Sequence, residues 1–386
     1  MKRFIFVFFL IAAVSSVAQD KFAITHGPYL QHLGENGATI IWTTNRDATS
    51  WVELAPNDNT HFYLKERPKY FSAEYGFKDV GKVHSVRINN LAPATKYRYR
   101  VYSQEVLSHE GINVRYGTVA ATSVYRAKPL EFTTIDKTKE DVSFLIVNDI
   151  HGRNDLLENL LVKGDVKNAD FVFFNGDMVN DFRSEDQLFG DFMDTAIRIF
   201  AKEKPMYYCR GNHETRGSFA NTFPQYFASP SGKLYYLLRQ GPVCFLVLDC
   251  GEDKPDSDIE YSGIVAFDQY RDVQAEWLQE AVKSSEFTNA PIKVAIIHMP
   301  PFGGWHGEEE IAQKFVPILN SAGIDAMFCG HLHRYIKQEP QTGTNFPVIV
   351  NANTTAVKAT TKGNTLNVKI INEKGETTDS FEIKGK

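Results

Sequence analysis

Five apolar runs in this chain stop at the same kind of boundary. "VSFLIV" runs into Asn148, Asp149 and His151, "FVFF" into Gly176 and Asp177, and "MYYC" into Arg210, Gly211, Asn212, His213 and Glu214; "KVAII" meets His298, and "AMFC" meets Gly330, His331 and His333. Between the runs lie stretches of helical periodicity, among them "DLLENLLVK", "EDQLFGDFMDTAIRIFAKE", "VQAEWLQEAVKSS" and "IAQKFVPILNSAG". Short apolar runs alternating with helical patterns predict an α/β domain whose strands are covered on both faces. In such a sheet the carboxyl ends of the strands form the edge where sites are built. Taken singly, an Asp after a strand is a cap or turn residue and a lone His is a surface or core residue. Five exits carrying Asp, Asn and His to one edge predict a site.

The donor types indicate its chemistry. Asp149 and His151, one spacer apart, are expected to share a face of an extended segment. With Asp177 and His333 they can surround one ion, while Asp177, Asn212, His298 and His331 surround a second, the Asp177 carboxylate bridging. Mixed imidazole and oxygen donors suit iron, zinc or manganese better than calcium or magnesium alone. No cysteine belongs to the set, which argues against a structural zinc site. Two divalent ions outweigh the two carboxylates, so the site should attract an anion with closely spaced oxygens. Paired metals orient a phosphate and lower the pKa of a bound water, which predicts phosphate-ester hydrolysis by a metal-bound hydroxide.

The rest of the chain frames this site. Lys2 and Arg3, the apolar run Phe4–Val14 and the small residues Ser15 to Ala18 read as a secretory signal peptide over residues 1–18. The run is too short to span a membrane, so an exported protein, periplasmic or secreted and without a membrane anchor, is expected. The net charge of −5 argues against a nucleic-acid polymer as partner. From residue 19 to 135, period-two segments such as "ATIIWTTN" and "KYRYRVYS" predict an all-β sandwich. In "NLAPATKYRYRV" the spacing puts Tyr97 where its hydroxyl closes a tyrosine corner. Residues 103–128 read as an irregular loop or insertion. After the charged linker "DKTKED" the α/β domain occupies 136–386, closed by the strands "VIVNANT", "TLNVKIIN" and "SFEIKG". Cys244 and Cys250 at the ends of one strand would lie about 20 Å apart, beyond disulfide reach. Cys209 and Cys329 are either buried thiols or a bridge between neighbouring strands.

The motifs "DIH", "GDMVND", "RGNHE", "IIHMP" and "GHLH" resemble those of the calcineurin-like metallophosphoesterases. The resemblance implies a two-sheet sandwich flanked by helices. Together with Trp42, the Tyr97 segment and "GPYLQ", the N-terminal module is similar to fibronectin type III and the whole to the purple acid phosphatase architecture. Carried over, the likeness implies the same seven metal ligands, His213 as the group that assists the leaving oxygen, and Arg210 and His306 as substrate contacts. Where purple enzymes place a ferric-binding tyrosine this chain has Asn180, and His151 stands at a family glycine. The likeness therefore does not carry over a preference for ferric iron or a strongly acidic optimum. The expected substrate is a small phosphomonoester. A phosphodiester with the same metal site is the alternative, and a non-catalytic adhesion protein on a decayed hydrolase fold is a reading of another class.

Overall fold

The computed structural model describes residues 20–385. The signal-peptide reading of residues 1–18 lies outside the described residues. Among those described, no helix is long and apolar enough to cross a membrane.

The N-terminal domain is an antiparallel β structure organised by one long strand, Ala38–Pro56. Its first half pairs with Val80–Ile88 and its second with Lys96–Glu110, and the change of partner falls at an irregularity between Thr43 and Ala48. A break in register bends the strand, so one strand serves both halves of the sandwich. Ile40, Trp42, Val52, Leu54, Val86, Tyr99 and Val101 fill the space between. Trp42 satisfies its indole N–H on Ser103 Oγ at 2.8 Å. Tyr97 closes the expected corner, its hydroxyl accepting the Ala92 amide at 2.9 Å.

Of residues 103–128, expected as an irregular loop, only 122–128 lack regular structure. Lys96–Glu110 and Asn113–Ala121 form a long hairpin. Two register shifts interrupt its pairing, and both faces of the second strand are largely exposed. A strand that buries neither face has no need of hydrophobic alternation, and so leaves no periodic signal.

The α/β domain contains two six-stranded mixed sheets. In the first, Ser143–Val147 lies parallel to Phe171–Asn175, which lies parallel to Met206–Cys209. The C-terminal strands Thr355–Lys362, Thr365–Asn372 and Thr377–Lys384 extend it antiparallel on the other side. In the second sheet Val243–Val247, Ile292–Ile296, Ala326–Cys329 and Val348–Val350 are parallel neighbours. Strand alternation builds the layers. Phe144, Ile146, Phe171, Phe173, Phe245, Val294 and Phe328 meet between the sheets. Their sequence neighbours Leu145, Val147, Val172 and Phe174 face the helices of one side, and Leu246, Ala295 and Met327 those of the other. Burial on both faces explains why these strands read as unbroken apolar runs. All four cysteines are buried and free, Cys209 donating to the Leu248 carbonyl at 3.0 Å.

The domains are packed together. Tyr29 and Ile41 join the helix-side core of the first sheet. Tyr29 donates to the Tyr226 carbonyl at 2.9 Å and Tyr99 to that of Lys202 at 2.6 Å, while the His26 ring stacks on Phe189 at 4.0 Å.

Candidate metal centre

Parallel strands of both sheets end together, and the predicted donors meet there. Asp149 Oδ1 lies 3.2 Å from His333 Nε2 and 4.0 Å from His151 Nε2. Asp177 Oδ2 lies 3.0 Å from His298 Nε2 and 3.8 Å from His213 Nε2. Asp149, His151 and His333 bring ligand atoms within 4.8 Å of one another, as do Asp177, His298 and His331, and Asp177 also groups with His151 and His213.

The strands stop before the donors do. Asp149, His151, Asp177, His331 and His333 all have left-handed backbones, with φ of 53°, 50°, 54°, 70° and 55°. The extended segment expected through Asp149 and His151 is therefore replaced by a left-handed turn that starts after Val147. Asp and His tolerate this region better than most residues, yet each such residue costs about 1–3 kcal/mol, borne by the surrounding structure. The turns are fixed across the sheet: the Asp149 amide bonds the Gly176 carbonyl at 2.9 Å and the His151 amide that of Asp177 at 3.0 Å. Gly330 allows a close approach, since a Cβ there would meet Asp149 Oδ2 at 2.7 Å and Asn148 Nδ2 at 2.8 Å.

Three of the donors are each held by one atom and leave another without a hydrogen bond. Asp149 Oδ2 accepts Asn148 Nδ2 at 2.6 Å and the His331 amide at 3.0 Å, while its buried Oδ1 has no hydrogen bond. His298 donates from Nδ1 to the Asn175 carbonyl at 2.7 Å, and its buried Nε2 forms no hydrogen bond, lying 3.0 Å from Asp177 Oδ2 in a charge contact. Asn212 gives Nδ2 to Asp253 at 3.3 Å and leaves Oδ1 unpaired. Unsatisfied buried polar atoms are costly and rare, so several in one cluster call for a missing partner that accepts oxygen and imidazole lone pairs. A metal ion fits this donor set.

The electrostatics agree. Burial works against charge on His298, but the Asp177 and Asp149 carboxylates raise it to about 10. Burial likewise opposes ionisation of Asp177, yet His298, His213 and His151 hold it well below the usual carboxylate range. Burial and the neighbouring His298 lower His331 to about 4, which leaves it a neutral imidazole. These buried carboxylates require positive charge beside them.

The structure brings Asp149, His151, Asp177, Asn212, His298, His331 and His333 together, with His213 beside them. His213 donates from Nδ1 to the main-chain carbonyl of Asn180 at 2.6 Å, which turns Nε2 toward Asp177. The other two predicted residues are bonded to carboxylates. Arg210 engages Asp249 through Nη2 at 2.9 Å and Nε at 3.3 Å, between the rings of Phe267 and Tyr270. His306 bonds Asp268 at 2.7 Å. Asp268, His306 and Glu310 also cluster, but Arg271 donates to Asp268 and Lys314 pairs with Glu310, so cations already balance these carboxylates.

Sequence reasoning missed the supports. Glu214 is fully buried and accepts the amides of Asp177 and Gly211 on Oε2, each at 2.9 Å, and the Met178 amide at 2.7 Å and Tyr208 hydroxyl at 2.9 Å on Oε1. Asn351 holds Asn148 by donating from Nδ2 to its Oδ1 at 2.6 Å. Asp253 and Glu252 follow "CFLVLDC", a sixth apolar run ending in polar residues, and that ending was the available signal.

Residues 142–335 match the calcineurin-like phosphoesterase family model, and residues 27–115 match the purple acid phosphatase N-terminal domain. The chain is 23% identical over 344 residues to purple acid phosphatase 21 of Arabidopsis thaliana, covering 83% of this chain and 69% of that protein. Purple acid phosphatase 18 of the same plant is 20% identical over 344 residues, covering 82% and 67%. The purple acid phosphatase from yellow lupin (Lupinus luteus) seeds superimposes with a TM-score of 0.65 over 92% of this chain and 74% of that one, at 16% identity, and so shares the fold.

Proposed function

We propose, for a chain that belongs to the calcineurin-like phosphoesterase family, the hydrolysis of phosphomonoesters at the Asp/His centre. The observation that carries this reading is the convergence of buried atoms without a hydrogen bond, Asp149 Oδ1, Asn212 Oδ1 and His298 Nε2. Asp149, His151, Asp177 and His333 would hold one ion and Asp177, Asn212, His298 and His331 a second, iron, zinc or manganese by their donor types. Such ions supply Lewis-acid charge for a phosphoryl group and a lowered pKa for water.

The chain's own residues supply orientation and a proton. With Nδ1 fixed on the Asn180 carbonyl, His213 Nε2 is the ring atom facing the cluster. It is the proton donor for the leaving alcohol oxygen. Arg210 and His306 flank the centre, and in this reading they act on substrate through the loops they anchor, because Asp249 and Asp268 hold their polar atoms. The leader over residues 1–18 suits action outside the cytoplasm, in the periplasm or the medium.

Hydrolysis of p-nitrophenyl phosphate and of its bis-ester by the metal-reconstituted protein, with metal analysis alongside, tests the reading. The monoester is expected to be the better substrate at two metals per chain. A clear preference for the bis-ester would move the assignment to phosphodiesters, and activity that survives metal removal would refute it.

A further inference from the structure

Beside His213 stands an arginine that the motifs do not include. Arg216 lies one 3-10 turn after His213, Glu214 and Thr215. Its Nε donates to Glu252 Oε1 at 2.7 Å, and its Nη2 donates to Glu252 Oε2 at 3.0 Å and Asp253 Oδ1 at 3.1 Å. Two carboxylates thus grip one edge of the guanidinium. Glu252 is itself pinned by the Thr215 hydroxyl at 2.8 Å and by Tyr261. Asp253 also accepts Asn212 Nδ2, so the same loop sets a predicted ligand and this arginine.

The remaining nitrogen, Nη1, is aimed differently. Among the described residues its one hydrogen-bond partner is His213 Nε2, at a long 3.4 Å. The Arg216 side chain is 22% exposed and that of His213 28%, so both are partly open to solvent. Arg210 and Arg153 are occupied, the first by Asp249 and the second by the main-chain carbonyls of Asp149, Ile150 and Asn353. A planar guanidinium locked along one edge presents its free N–H groups in a fixed direction, a geometry suited to phosphate oxygens.

We propose that Arg216 Nη1 binds a terminal phosphoryl oxygen of the substrate and that this contact selects monoesters over diesters. The inference rests on the phosphoester reading above. His213 Nε2 and Arg216 Nη1 are close enough to engage neighbouring oxygens of one phosphoryl group, the histidine on the leaving oxygen and the arginine beside it. A monoester has three terminal oxygens, and a diester two. Were two terminal oxygens taken up where the two ligand groups would hold their ions, a monoester would keep a third, charged oxygen for Arg216. A diester would offer Nη1 an esterified oxygen, a poor acceptor that carries a second substituent. Because Glu252 and Asp253 already balance the guanidinium, the selection comes from a directed hydrogen bond more than from net charge.

The test measures binding of inorganic phosphate by calorimetry to the manganese-reconstituted parent, Arg216→Gln, Arg216→Lys and the double variant Arg216→Gln/Glu252→Gln. Metal content and melting temperature are recorded for each. Phosphate affinity is expected to fall about 10- to 100-fold in Arg216→Gln, the weight of a charge-assisted hydrogen bond, with metal content unchanged. The ratio of kcat/KM for p-nitrophenyl phosphate to that for its bis-ester should fall with it, and Arg216→Lys should recover part of the loss. The double variant, relieved of an unpaired carboxylate, should regain melting temperature but not phosphate affinity. Parental affinity in fully metallated Arg216→Gln, or affinity that returns with stability in the double variant, would overturn the proposal. Arg216-dependent phosphate binding by a parent that hydrolyses neither ester would refute the phosphoesterase reading and leave the phosphate contact standing.

Discussion

Replacing Glu214 by glutamine exchanges one acceptor oxygen for an amide nitrogen in a side chain that receives five donors, the longest from the Val179 amide at 3.4 Å. In the best orientation the surviving oxygen keeps the Asp177 and Gly211 amides. The new NH2 then faces the Met178 amide and Tyr208, and only the hydroxyl can turn to accept it. The Met178 amide is left unpaired, at about 1–3 kcal/mol, the long Val179 contact adds little, and the retained bonds lose charge assistance worth about 1 kcal/mol each. The sum is about 3–5 kcal/mol, or about 6–20 °C in melting temperature at about 2–4 °C per kcal/mol for a domain of this size. Asp177 and the turn carrying Asn212 and His213 both hang on this carboxylate, so metal affinity should fall about 10- to 100-fold as well. Thermal unfolding in chelator reads the first effect and competition with a chromogenic chelator the second. Glu309→Gln, on an exposed side chain, serves as control and should stay within about 0.5 kcal/mol. A Glu214→Gln protein that melts with the control and retains metal equally would refute the reasoning.

Asp177→Asn keeps the left-handed backbone, which asparagine also tolerates, but removes the charge shared by both donor groups; metal content by mass spectrometry and esterase rate should both drop by at least about 100-fold. His213→Ala should retain its metal while kcat falls about 10²- to 10⁴-fold, with the steepest loss on esters of poor leaving groups; equal losses on good and poor leaving groups would remove His213 from the proton-donor role. Burial pushes all four thiols up, so a thiol reagent should label none in the native protein and four after unfolding, and reductant should leave the melting temperature unchanged.

Much of the centre was legible because the donors directly follow buried strands, and a buried strand advertises itself as an apolar run. Phe144 and Ile146 face the other sheet while Leu145 and Val147 face helices, so the run has no polar position until the edge is reached. Fold class followed from the same burial. What stayed hidden depends on partners distant in sequence. The left-handed turns at Asp149 and His151 are imposed by Gly176 and Asp177, and nothing in "NDIHGR" itself announces them. Arg210 looked like the phosphate arginine because of its motif, but Asp249, 39 positions later, takes its guanidinium. Arg216 looked ordinary because Glu252 and Asp253, which aim it, lie in another strand's exit. The second strand of the hairpin, Asn113–Ala121, escaped notice for the opposite reason: exposed on both faces, it carries no burial pattern.

The left-handed backbones at five donors have a consequence for where metal affinity is encoded. A peptide copied from residues 148–153 would relax toward ordinary conformations and scatter its carboxylate and imidazole. In the folded chain that relaxation is blocked before any ion arrives, so an ion meets donors already in position and loses little of its binding free energy to ordering them. The affinity of the centre is therefore a property of the sandwich beneath it. Cavity-forming substitutions at Phe173 or Ile146, which touch no donor and lie between the sheets, belong to the metal site as truly as the histidines do.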